Sequence, residues 1–248
     1  MGNIRISILA LSLILLSACG HKLTQQDKDG FLERQAAVAF TTRHQLPPST
    51  KGKLPLKAGQ WAIVATHFKD GDNESMGFTK FKIIRIQGDT LTMEMESTHA
   101  GSKQLMVMAY VVSGFPMHKQ LSYSKDEMEK FVSNLEFKRI VMKSGDAKAT
   151  EIPLNFVPLT KTYMKNLFTT GYRVGGITYE ACASDALSSK KCLAYDYELE
   201  LTGYHAKGHV DAHSSVPIVG YVSQTTDKSE SHVIAFGLTG AKGILITE

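Results

Sequence analysis

The spacing of apolar and polar residues changes several times along the chain. Residues 6 to 16, Ile6 to Leu16, are almost continuously apolar, and a polar stretch follows. Thr24 with Asp27 three residues on resembles a helix start, and Phe31, Leu32, Val38 and Phe40 supply an irregular apolar stripe behind it. This predicts a helix to about Arg43, broken by Pro47-Pro48-Ser49-Thr50-Lys51-Gly52. From Trp61 the period becomes two. Trp61, Ile63 and Ala65 alternate up to a turn at Asp70-Gly71-Asp72-Asn73, Phe78 to Ile86 forms a second strand, and Gln87-Gly88-Asp89 a second turn. Leu91, Met93 and Met95 alternate with Thr92, Glu94 and Glu96 on a third strand, and Leu105 to Val112 makes a fourth. Alternation puts Glu94 and Glu96 on a solvated strand face.

A helix interrupts this antiparallel meander. Ser124 and Glu127 make a capping box, with Met128, Phe131, Val132 and Leu135 at helical spacing behind it, a stripe expected to lie on the sheet. Phe137 to Met142 returns to strand and turns at Ser144-Gly145-Asp146. A short helix from Lys161 to Phe168 follows a proline-punctuated passage. Strand-like segments follow on either side of Ser184 to Ser189, then at Val216 to Val222, Val233 to Phe236 and Ile244 to Ile246. The fold class is mostly β with α+β character.

The opening apolar run is far short of the roughly 20 residues that span a bilayer as a helix. It matches a signal-peptide core and ends in Leu16-Ser17-Ala18-Cys19-Gly20, which resembles the lipobox of bacterial lipoproteins. That resemblance implies cleavage before Cys19, a diacylglyceryl thioether on its sulfur and membrane anchoring by two or three acyl chains. Gly20 stands where the usual inner-membrane retention signal is aspartate, so the resemblance implies the outer membrane. The expected organisation is a signal peptide over 1–18, an anchor, helix and linker over 19–58, and a β-rich domain over 59–248.

Composition narrows the partners. The net charge is +4, with no block of five like charges and no basic patch studded with aromatics, which argues against nucleic acid. Of three cysteines, Cys19 is assigned to lipid, leaving Cys182 and Cys192 as an even pair on two strand-like segments. A bridge there staples a hairpin and contributes about 2.5 to 3 kcal/mol. A redox-active pair, by contrast, usually sits two residues apart at a helix start.

Three constellations could carry chemistry. A two-residue turn at Ala100-Gly101 pairs Met93 with Met108 and Met95 with Met106, placing four thioethers on one face that Leu91 and Tyr110 extend. Soft thioethers suit a plain core, a concavity accepting acyl chains, or copper(I). His205, His209, Asp211 and His213 form the second cluster. On an extended chain His209, Asp211 and His213 point to one side, a donor set suited to a divalent metal, although solvated turn histidines read the same way. Third, Ser122-x-x-Lys125 and Lys143-Ser144-Gly145 echo penicillin-binding motifs, but the element that separates them in that family is missing. No set of nucleophile, base and orienter is visible, so the protein is expected not to be an enzyme and to need no cofactor.

The order of elements is similar to that of the Lol-type lipoprotein carriers: lipobox, N-terminal helix, antiparallel meander, inserted amphipathic helix, further hairpins. That architecture implies a strongly curved sheet or half-barrel, with one or two helices covering an apolar concavity that holds acyl chains. Met93, Met95, Met106, Met108, Tyr110, Met128 and Phe131 would then face the ligand. The implied function is non-catalytic binding of lipid or a lipidated partner. The competing expectations are a structural or interaction lipoprotein with a closed core, acting as an assembly factor or adhesin, and a metal-binding lipoprotein.

Overall fold

The computed structural model describes residues 23–42, 55–102, 104–115, 125–158, 161, 172–182, 191–201 and 204–246. Cys19, the proline linker, Ser124 and all of the short helix expected over 161–168 except Lys161 lie outside this set.

The first helix, α1, spans Gln25–Thr42. Its start is a reciprocal cap: the Asp27 backbone N–H donates to Thr24 Oγ1 at 3.2 Å and the Thr24 N–H donates to Asp27 Oδ2 at 3.0 Å. A meander follows in β1 (Trp61–Asp70), β2 (Asn73–Gln87), β3 (Thr90–His99) and β4 (Met106–Ser113). Gly71 and Gly88 supply the φ of 61° and 57° that the two tight turns need. Helix α2 (Lys125–Asn134) leads into β5 (Glu136–Ser144) and a short β6 (Thr150–Glu151). The second half holds β7 (Tyr172–Ala181), β8 (Lys191–Leu201), β9 (Tyr204–Ala212), β10 (Tyr221–Thr226) and β11 (Ser229–Gly237).

The eleven strands among the described residues form one sheet in the order β6-β5-β4-β3-β2-β1-β11-β10-β9-β8-β7, every neighbouring pair antiparallel. The first and last strands pair in the middle, Ala62 opposite Phe236, and among the described residues β6 and β7 are the outermost strands. This is an open, strongly curved antiparallel sheet whose inner face folds onto itself. Ala62, Val64, Phe81, Ile83, Leu91 and Met95 from one limb share a single apolar cluster with Tyr195, Tyr197, Val210, Val219, Tyr221 and Val233 from the other. Helix α2 closes one end of that face, burying Phe131, Val132 and Leu135 against Val112 and Phe137. The helical stripe read from the sequence is therefore an inner-face cover. Met128 belongs to α2, but its side chain is not among the described ones.

The outer face is covered as well. Phe31 of α1 stacks on Phe78 at 4.3 Å between ring centroids, and Lys28 of α1 pairs with Glu74 at 2.5 Å. A C-terminal strap crosses the same face, with Trp61 Nε1 donating to the Thr239 carbonyl and the Ala241 N–H to that of Gly59.

Two expected strands take other forms. Val216 to Gly220 is apolar enough to read as the start of a strand, yet it is a buried turn. Pro217 has no N–H to offer a ladder, Ile218 sits at φ 64°, and pairing begins only at Tyr221. Ile244 to Ile246 belongs to the strap, and its N–H groups go to a carboxylate instead of a neighbouring strand.

Candidate functional site

The inner face brings the methionines together, though in a different register from the expected one. The β3–β4 connection is longer than two residues, so Met95 lies opposite Met108, Met93 opposite Tyr110, and Met106 opposite Ser97. The shift is two residues, and side chains alternate with period two, so all four methionines still share a face. Met142 of β5 extends the strip opposite Met108. Burial grades along it: Met95 is 2% exposed, while Met93, Met106, Met108 and Tyr110 are half-buried. Tyr110 donates its hydroxyl to the Met108 sulfur, and burial pushes that hydroxyl up to about 12. The curled sheet is thus densely packed along β1 to β3 and looser toward β4 and β5.

A cavity of about 300 Å³ lies on the opposite, outer face, under α1. Ile63, Phe78 and Leu105 line it, with Arg34, Lys80 and Glu96 among its polar residues. No helix among the described residues is long and apolar enough to cross a membrane.

The outer face also corrects the reading of Glu94. It is fully buried, and its carboxylate accepts backbone N–H bonds from Ile244 at 2.7 Å, Leu245 at 2.8 Å and Ile246 at 2.9 Å. Lys82, 2% exposed, pairs with it at 2.9 Å, also meets Glu96, and donates to the Lys242 carbonyl at 2.8 Å. Burial alone would raise the Glu94 carboxyl, but these four donors outweigh it and hold it below the usual range.

A second outer-face cluster forms where β7, β8 and β9 run side by side. Strand register sets Asp196 directly opposite His209, and Ala194 opposite Asp211. Glu180 faces Cys192 on the neighbouring pair. His209 Nδ1 lies 2.8 Å from Asp196 Oδ1, and its Nε2 lies 3.5 Å from Asp211 Oδ1 and 3.6 Å from Glu180 Oε1. The Asp196 hydrogen bond holds the imidazole above its ordinary value against the cost of partial burial, with the charges of Asp211, Asp196 and Glu180 adding to it. Asp211 is 5% exposed. Its Oδ2 accepts from Ser223 Oγ at 2.7 Å, and its Oδ1 accepts no hydrogen bond among the described residues.

The four residues singled out from the sequence therefore split. His209 and Asp211 converge. His205 is exposed and lies four residues earlier on the strand, roughly 13 Å away along an extended chain. His213 falls just past the end of β9, where its ring Nδ1 accepts from the Ser215 N–H at 3.1 Å and braces the buried turn. Asp196 and Glu180, missed from the sequence, come from neighbouring strands, and only the pairing register brings them in.

Cys182 and Cys192 form a disulfide across the β7–β8 hairpin, with Cα atoms 4.8 Å apart. It sits two residues beyond Glu180 and pins that strand end.

No protein-family model and no curated protein matches this chain. Among solved structures it is similar to a hypothetical protein of Chlamydia trachomatis at 10% identity and a TM-score of 0.41, covering 77% of this chain and 93% of that one. It is also similar to a candidate exported protein of Bacteroides fragilis with a YmcC-like fold, at 9% identity and a TM-score of 0.30, covering 74% and 98%. Neither lends this chain a function.

Proposed function

We propose that this is a lipid-anchored, non-catalytic envelope protein whose methionine-bearing inner face takes up an acyl chain or a lipidated segment of a partner. The observation that carries this reading is the graded strip Met93, Met106, Met108 and Tyr110, apolar and half-buried on the inner side of β3 and β4. Flexible thioethers adapt to chains of variable shape, and among the described residues the sheet does not close, with β6 and β7 outermost. The lipobox-like Leu16 to Cys19 supports the anchor, and the Cys182–Cys192 disulfide supports an exported, oxidising setting.

A closed-core interaction lipoprotein is favoured by a different observation, the dense packing of Phe81, Ile83, Leu91 and Met95 against the far limb. One experiment separates the two readings. In the wild type, labelled palmitate is expected on the chain and the protein in the membrane fraction; Cys19→Ala is expected to lose both. Native mass spectrometry of the Cys19→Ala form, which has no acyl chains of its own, is then expected to show a co-purified lipid. A clean apo mass would overturn lipid uptake and leave the closed-core reading, while palmitate still present on Cys19→Ala would overturn the anchor.

A further inference from the structure

The Glu180, His209 and Asp211 cluster has the layout of a cation site, and it lies on the outer face, away from the methionine strip. We propose that His209 Nε2, Asp211 Oδ1 and Glu180 Oε1 bind one zinc-like divalent cation, with Asp196 as the positioning residue behind the imidazole.

The first support is geometric. Bonds of about 2.1 Å in a tetrahedral zinc shell place the ligand atoms about 3.4 Å apart. The two separations from Nε2 are 3.5 and 3.6 Å, and the three ligand atoms all lie within 4.8 Å of one another. The two separations from Nε2 already match such a shell, and the two carboxylates lie close enough to draw in around a cation.

The second support is the state of the imidazole. An ionised carboxylate only accepts, so Asp196 Oδ1 at 2.8 Å holds a proton on Nδ1 and turns Nε2 toward Asp211 and Glu180, where a bound cation takes the place of the Nε2 proton. A carboxylate fixing a histidine from behind is the usual support of a metal-ligating ring.

The third is Asp211 itself. Its side chain is 7% exposed and its Oδ1 is buried with no hydrogen bond among the described residues, an arrangement that favours a positive charge beside it, whether the His209 ring at 3.5 Å or a metal ion held with that ring. Ser223 orients the carboxylate by occupying the other oxygen. Glu180 and His209 are more exposed, so the open side faces solvent and leaves room for water as a fourth ligand.

The test is calorimetric titration of the full chain, stripped with chelator, using zinc sulfate. One zinc per chain is expected, and cobalt(II) in its place should give the visible bands of a tetrahedral complex. His209→Ala and Asp211→Asn should abolish uptake, whereas His205→Ala should leave it unchanged. Asp196→Asn should weaken it about 10- to 100-fold, the range for losing a partner behind a metal ligand. Asp211→Asn is nearly isosteric, and thermal unfolding run beside each titration confirms that the variants are folded. Absence of zinc uptake by the folded wild type would overturn the site. So would uptake that survives in folded His209→Ala and Asp211→Asn.

Discussion

Glu94 carries a charge where water does not reach, and an isolated carboxylate in that position would be unstable by many kcal/mol. Three backbone donors from the strap and the Lys82 ammonium make it tolerable. Removing the carboxylate strands Lys82 and unties the strap. Glu94→Ala is therefore expected to cost about 3 to 5 kcal/mol in urea unfolding. The pH dependence follows from the sign of the shift. The folded-state pKa lies below the unfolded one, so this contribution is complete above the unfolded value of about 4.3 and is lost as pH falls through the folded one. Glu94→Gln should thus flatten the acid limb of the stability curve below about pH 4.3 and leave its slope at neutral pH unchanged. Alternation alone assigned Glu94 to a wet face. Which segment covers a strand face is decided by chain some 150 residues away, and local pattern holds no trace of it.

Strand register decides what the pattern of single residues leaves open. The methionine strip was legible because period two survives a two-residue shift, although the individual partners were not. His209 and Asp211 were legible as alternate residues on one strand, whereas Asp196 and Glu180 depend on how β8 lies against β9 and β7. The cysteine pair was legible because two residues of one chemistry flank a turn. Its hairpin now joins stability to the cation site, since the bridge fixes the strand end that carries Glu180. Replacing Cys182 and Cys192 together by serine should lower unfolding stability by about 2.5 to 3 kcal/mol, the loop-entropy value for a short closed loop. Zinc affinity should fall in the same variant, because one of the three ligands loses its restraint. Equal zinc titrations for the bridged and serine forms would show that Glu180 is held by β-pairing alone.

At the scale of the whole molecule, the pairing of β1 with β11 divides the sheet into two limbs that share one inner core but present different outer surfaces. The methionine strip lies inside β3 and β4, and the cation cluster lies outside β7 to β9. Their side chains project from opposite faces of the sheet and sit on opposite limbs. Sites that share no side chains and lie this far apart are expected to behave additively. Met108→Glu places a charge on the inner strip, where desolvating it opposes an acyl chain. It should therefore lose co-purified lipid while zinc titrates as in the wild type. Asp211→Asn should lose zinc and keep lipid. If Met108→Glu also abolished zinc uptake while remaining folded by circular dichroism, the limbs would be coupled through the shared core. The protein would then respond to cation and lipid as a single unit, and the closed packing of Phe81, Leu91 and Met95 against Tyr195 and Tyr221 would be the element that transmits between them.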